Sequence, residues 1–576
     1  MISMERLVFF LVCATTACAL LSSTASAKVV EHTFHVGNLT VTKMCQKQVI
    51  TAVNGSLPGP TIRVNEGDTL IVHVLNKSPY NLTLHWHGIF QLFSGWADGP
   101  AYVTQCPILP GNSYTYNFNI TGQEGTLWWH AHTSYLRATV YGALIIRPRA
   151  GRKYPFTKPA KEFPIMLGEW WNANVYDVEE EALNFGGAPN ISDAYTINGR
   201  LGDQFPCSAN QTHKIEVEKG KTYLLRIVNA ALNNQFFFSI ANHNMTVVAI
   251  DASYTNPYVT DVVVTGPGQT TDVLLKANQP IGDYYMAAHP YISAAGIQFV
   301  TNATVGIVQY KTSRSRNSSS TPVMPTLPAF NDTPTAHKFF SNLTGLTTAP
   351  FWVPVPRKID EKMFITFGLG VSPCGANRNC SNSPFGTNLR FSASMNNHSF
   401  ELPSKTSMLE AHFNNASAGV YTEDFPNNPP LVFDYTNSNL SFGLAFTEKS
   451  TKVKRLKFNS TVEMIFQNTA LIGIENHPIH LHGYNFHVLA QGFGNYNATV
   501  DEKKFNFNNP QERNTIGVPA GGWAVVRFRA NNAGVWFMHC HLDVHMPWGL
   551  GMAFVVENGP TAATSLRPPP SDLPKC

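Results

Sequence analysis

The sequence predicts an all-β protein of three consecutive Greek-key β-sandwich domains. Turn-rich composition, an internal duplication at long period and alternating polarity inside the duplicated segments predict it. The 576 residues include 41 Gly and 38 Pro, and only 14% are charged, against a usual ~25%. Such a bias favours short strands joined by turns over helical bundles. At roughly 150 residues per domain the length allows three or four domains. The net charge is +4, with Lys and Arg scattered along the chain, so there is no concentrated basic face of the kind phosphate backbones require and nucleic acid is not an expected partner.

The first segment, residues 1–27, reads as a signal peptide. Arg6 precedes an apolar run from Leu7 to Leu21, and Ala25-Ser26-Ala27 has the small-residue pattern of a cleavage site. The run is shorter than the ~20 residues that span a bilayer, so no membrane anchor is expected and the chain reads as secreted. About eighteen N-x-S/T sequons, among them Asn38, Asn76, Asn190, Asn342 and Asn459, fit N-linked glycans on an exported surface. Of nine cysteines, Cys13 and Cys18 fall in the leader. The remainder, Cys45, Cys106, Cys207, Cys374, Cys380, Cys540 and Cys576, is odd in number, which in an oxidising compartment leaves one thiol for chemistry. Cys540, between two histidines, is the candidate.

The domains follow from self-comparison. Thr61 to Asn76 (TIRVNEGDTLIVHVLN), His213 to Asn229 (HKIEVEKGKTYLLRIVN) and, more weakly, Arg455 to Asn468 (RLKFNSTVEMIFQN) share an alternating pattern on both sides of a short turn, read as a β-hairpin. A second pattern recurs as PGNSYTYNF…GTLWWHAH, GPGQTTDVLL…GDYYMAAH and PAGGWAVVRF…GVWFMHCH, with the same spacing from Gly125, Gly282 and Gly534 to His132, His289 and His541. A turn, an alternating strand, a Gly turn and an aromatic strand make a Greek-key element of a sandwich. The boundaries are drawn at 28–150 and 163–312 for the first two domains, 313–338 for a Ser/Thr/Pro/Asn-rich linker, and 339–576 for the third. Helices should be few. The acidic run Glu179 to Glu181 is expected to form one short helix with a solvated face.

Four His-x-His pairs carry the chemistry: His85/His87, His130/His132, His480/His482 and His539/His541. On a strand, residues i and i+2 point to one face, so each pair offers two imidazoles together. Two pairs belong to the first repeat and two to the third, at matching positions, whereas the middle repeat keeps only His289. So many same-face imidazoles without metal would leave buried nitrogens unsatisfied at about 1–3 kcal/mol each. A site between the first and third domains is implied, holding more than one ion. Cys540 faces away from its flanking histidines. With His477 and His545 it makes the Cys-plus-two-His set of a blue copper site; tetrahedral zinc would want a fourth donor. The peptide between Cys540 and the flanking histidines then joins two sites roughly a dozen ångströms apart.

HWHG, HAH, HPIHLHG and HCHLDVHMPWGLGM together resemble the four copper-binding segments of multicopper oxidases, and the chain is most similar to the secreted plant laccases, including across GWADGPAYVTQCPI from Gly95 to Ile108. The resemblance implies cupredoxin-like domains and an apoplastic or cell-wall laccase. It would take electrons singly from phenols such as monolignols or flavonoids and reduce dioxygen to water with one type 1, one type 2 and a type 3 pair of copper ions. It assigns His477, Cys540 and His545 to type 1 copper and His85 and His480 to type 2. His87, His130, His132, His482, His539 and His541 fall to the type 3 pair. Leu550, ten residues after the cysteine, falls in the axial position and cannot coordinate, which should raise the reduction potential and separates the chain from ascorbate oxidases. Met552 reads as core packing. Asp98 and Asp543 match positions assigned to proton delivery. The implied disulfides are Cys45 with Cys207, Cys106 with Cys576, and Cys374 with Cys380. The substrate is expected at an exposed edge of His545 or His477 and the molecule as a monomer. An ascorbate oxidase, a ferroxidase and a non-catalytic cell-wall protein on the same fold are the alternatives.

Overall fold

The computed structural model describes residues 27–311 and 321–576. Residues 1–26, on which the expected signal peptide falls, and residues 312–320, within the expected linker, lie outside the described residues. Six sheets face each other in three successive pairs.

In the first pair, one sheet runs Gln46–Val53, Val29–Lys43, Thr69–Asn76 and Ser113–Asn119, and the other runs Ile62–Asn65, Tyr141–Arg147, Gly125–Ala131 and Leu84–His87. Phe34, Trp86, Tyr116 and Trp129 fill the space between them. Thr69–Asn76 alternates half-buried and buried residues along its length, as a strand with one wet face should. Leu84–His87 and Gly125–Ala131 are buried at every position. One face meets the sandwich core; the other carries histidines and is covered by the rest of the molecule.

The middle pair has six and five strands, packed around Phe236, Phe238, Val273 and their neighbours. The third has eight and five strands over a core that includes Cys540 itself. Its five-stranded sheet sets His477–Leu481 antiparallel to Gly534–Cys540, with His480 directly opposite His539. The matching pairing in the first domain sets His85 opposite His130.

Three expectations are corrected. The repeated segments are not hairpins: Ile62–Asn65 pairs with Tyr141–Arg147, whereas Thr69–Asn76 pairs in the facing sheet. The same holds for His213–Val217 and Thr222–Asn229, and for Val453–Leu456 and Ser460–Asn468. Each short turn carries the chain across the sandwich, and alternation cannot tell that arch from a hairpin because both have one buried face. The acidic run does lie on a helix, Val175–Phe185, capped by Asn174 and closed by Gly186 in the left-handed region. Its face is not all solvated, because Glu179 is buried and accepts hydrogen bonds from the Ser134 hydroxyl and the Tyr135 N–H. Within the linker composition, residues 321–330 pack on the middle domain through Val323 and Phe330, and a helix spans Thr333–Ser341.

Disulfides join Cys45 to Cys207, Cys106 to Cys576 and Cys374 to Cys380; Cys540 is free and buried. No helix among the described residues is long and apolar enough to cross a membrane.

Candidate metal centre

The eight imidazoles of the four pairs converge where the first and third domains meet. The His87 ring stacks on that of His480 at 3.8 Å between centroids, and that of His85 lies 4.0 Å from that of His482. Across the domain boundary His541 Nε2 is 3.1 Å from His87 Nδ1, and His132 Nε2 is 3.4 Å from His539 Nε2. Ligand nitrogens of three triads lie within 4.8 Å of one another: His85/His480/His482, His85/His87/His130 and His132/His482/His539. All eight rings are buried. His85 Nε2, His130 Nε2, His480 Nε2 and His541 Nδ1 have no hydrogen-bond partner. Buried nitrogens aimed at one another and unpaired are costly, and metal coordination is what relieves them.

Protonation points the same way. Burial, reinforced by neighbouring imidazoles or Arg137, holds His87, His130, His132, His480, His482 and His541 well below the ordinary histidine range. His539 is pulled down to about 3, again by burial first. These seven rings are therefore neutral at ordinary pH, the form that binds metal.

Their far nitrogens are anchored. Asp98 comes from the 3-10 turn after Gly95–Ala97 and is fully buried. Its carboxylate accepts from His482 Nδ1 at 2.9 Å, and its carbonyl accepts from His85 Nδ1 at 2.7 Å. His480 Nδ1 donates to the Asn514 carbonyl at 2.9 Å. His539 Nδ1 donates to the carbonyl of Cys540 at 2.9 Å, so a ring of the cluster touches the cysteine backbone directly. Such anchors fix tautomer and aim.

Cys540 faces the opposite way, into the core of the third domain. His477 Nδ1 lies 3.6 Å and His545 Nδ1 3.4 Å from its sulfur. His545 reaches it from the 3-10 turn Asp543–His545. Burial lifts the thiol well above its usual range, so a bound cation is what would hold it as thiolate. A soft thiolate with two imidazoles suits copper. Leu550 is fully buried beside this set. Its N–H donates to the His545 carbonyl and its carbonyl accepts from the Cys540 N–H, both at 3.0 Å. Met552 pairs across the ladder with Met538 and packs in the core.

The exposed histidine edge is corrected. His477 and His545 are 1% and 2% exposed, and Glu475 Oε1 accepts from His545 Nε2 at 3.1 Å. Asp543, also buried, has burial lifting its carboxyl to about 6 against the opposing pull of Arg137, whose guanidinium lies 3.8 Å away. Arg137 also donates to the carbonyls of Ala231, Leu232 and His541, so it spans all three domains. The middle domain gives no histidine to the cluster but supplies a wall: a Cβ on Gly268 would stand 2.9 Å from the His541 ring. Sequence reading missed Asn514, Glu475, Arg137 and Gly268. The Pro-Gly turn containing Gly268 repeats in the first domain, and that was the one available signal. His289 is satisfied by the Pro290 and Pro328 carbonyls and stands apart.

Three family models, each described as multicopper oxidase, match residues 35–151, 161–313 and 424–560 respectively. The chain is 60% identical over 568 residues to Laccase-7 of Arabidopsis thaliana, covering 97% of this chain and 99% of that one. It is 57% identical over 579 residues to Laccase-24 of Oryza sativa subsp. japonica, covering 97% and 98%. The chain belongs to the multicopper oxidase family, among its plant laccases. The crystal structure of the laccase from Botrytis aclada superposes with a TM-score of 0.71 at 27% identity, covering 94% of this multicopper oxidase and 89% of that chain. The three sandwiches are the cupredoxin-like domains of the family.

Proposed function

We propose that the protein oxidises small phenols one electron at a time and reduces dioxygen to water, using the four copper ions of its family. His477, Cys540 and His545 would hold the type 1 ion and His85 and His480 the type 2 ion. His87, His130, His132, His482, His539 and His541 would hold the type 3 pair. Copper supplies one-electron oxidation at the first site and multi-electron reduction of dioxygen at the others. The observation that carries the reading is the convergence of four His-x-His pairs beside a buried free thiol whose own peptide joins the two sets.

The side chains divide the remaining work. Asp98 orients His85 and His482 and can hold a proton at its carboxylate. Asp543, lifted to about 6 and held 3.8 Å from Arg137, can hold another. The Leu550 side chain, buried beside Cys540, would offer no donor atom to an ion held there, which would favour a high potential and phenols over ascorbate. Glu475 can accept the phenolic proton beside His545. Ferrous-ion oxidation is the second reading, favoured by the same carboxylate. The leader pattern, the sequons and the disulfides support export to the apoplast or cell wall as a glycosylated monomer.

Metal analysis with oxygen uptake on a methoxyphenol, ascorbate and a ferrous salt tests this. About four coppers and fastest uptake with the phenol are expected; a folded copper-free protein, or preference for the ferrous salt, overturns it. In Asp98→Asn, oxygen turnover should slow while anaerobic bleaching of the blue band is unchanged; slowing of both removes Asp98 from proton delivery.

A further inference from the structure

A cavity of about 470 Å³ lies where all three domains meet and includes no copper ligand on its wall. Its size is that of a site for a one- or two-ring organic molecule. Aromatic side chains come from every domain: Phe90 from the first, Tyr254 from the second, Trp352 from the segment entering the third, and Tyr484 and Phe528 from the third. Asn485, His487 and Glu512 add the polar part.

Three polar atoms on these wall residues have no partner: His487 Nδ1, Asn485 Oδ1 and Trp352 Nε1. His487 is only 4% exposed. Burial, with Arg527 adding to it, pulls its ring down to about 4, so it is neutral and carries one N–H and one acceptor nitrogen. Burial raises the Glu512 carboxyl to about 7 against a hydrogen bond from Asn485, so below neutrality it is an uncharged acid. The wall thus pairs aromatic faces with the polar side chains of Asn485, His487 and Glu512, which hold both donors and acceptors. Aromatic faces favour a planar ring. The acceptors suit hydroxyl hydrogens, and the donors suit an ether or carbonyl oxygen.

We propose that this cavity binds a neutral hydroxylated aromatic molecule at a site separate from the copper ligands and from electron entry. The binding is non-covalent and consumes no oxidant.

The test is calorimetry on the ascorbate-reduced holoenzyme under argon, which can take no electrons from a phenol, with methyl 4-hydroxybenzoate as probe. One site is expected. Binding should weaken at least about tenfold for methyl 4-methoxybenzoate, which has no hydroxyl to donate. It should weaken equally in Ala349→Trp, which fills the cavity from a half-buried position on its wall, and in Asn485→Leu. Oxidation of dimethoxyphenol by Ala349→Trp should stay within about twofold of the parent. Absence of binding, undiminished binding in Ala349→Trp, or binding of methyl β-glucoside in place of the phenol overturns the proposal. Loss of the oxidase reading with binding retained leaves this site standing, since reduced enzyme is the binding partner.

Discussion

Leu550 lies beside Cys540, with its backbone bonded on both sides of the ligand loop and its side chain wholly inside the core. Replacing it by Met puts a thioether of similar volume in the same direction, a swap that cores tolerate at under about 1.5 kcal/mol. Leu550→Met should therefore fold normally and lower the reduction potential of the thiolate site, read by redox titration of the blue band; an unchanged potential would show that the residue does not face the metal. Glu179 shows the opposite kind of residue, one whose role the sequence concealed. Burial lifts its carboxyl to about 7, opposed by the Ser134 hydroxyl. The folded state thus holds the proton more tightly than the unfolded chain. The stability this contributes is complete below about 4.5 and is lost as pH rises through 7. Glu179→Gln stays neutral and keeps the acceptor oxygen. Its melting temperature should match the parent near pH 4.5 and exceed it above pH 7, by up to about 3 kcal/mol in stability. A parallel decline of both proteins with pH would place the titrating group elsewhere. The His-x-His pairs were legible because a two-residue period fixes their face whatever the fold. Glu179 was not, because an acidic run is solvated unless another element covers it, and here the turn Ser134–Ala138 does so.

At the level of elements, each conspicuous repeat is an arch between sheets, and this decides what the middle domain contributes. Its copy of the turn, residues 266–269, is driven across its own sandwich and emerges against the rings of the other two domains. Gly268 has φ +89°, its N–H is bonded to the Asn229 carbonyl, and its own carbonyl accepts from Trp128 Nε1. The loop is held from both sides and cannot retreat. A methyl group there would meet His541 at 2.9 Å and His87 at 3.0 Å, in addition to about 1–2 kcal/mol for a side chain at positive φ. Gly268→Ala should thus lose cluster copper in metal analysis while the blue band from the Cys540 site persists. Loss of both together would mean general unfolding. Periodicity marked this loop as a repeated turn, yet nothing local could say that a domain without paired histidines would form one wall of the cluster.

On the scale of the whole molecule, the cluster is an interface, so what holds the domains together also holds the rings in register. Cys45–Cys207 ties the first domain to the second across a sequence separation of 162, and Cys106–Cys576 ties the first to the chain end across 470. The second bridge lies near the cluster, since Cys106 closes the loop that begins with Asp98 and Trp96, whose Nε1 donates to the Arg567 carbonyl. Cross-linking distant residues restricts the unfolded chain most, with an upper range of about 5 kcal/mol. It also keeps the tail seated over Trp96 in the folded state. Removing the bridge with Cys106→Ser and Cys576→Ser together should lower the melting temperature and, below it, speed the loss of cluster copper to a chelator. The Cys540 site, wholly inside the third domain, should lose its blue band no faster than in the parent. Equal acceleration at both sites would show that the bridge stabilises the fold as one unit and does not guard the interface in particular.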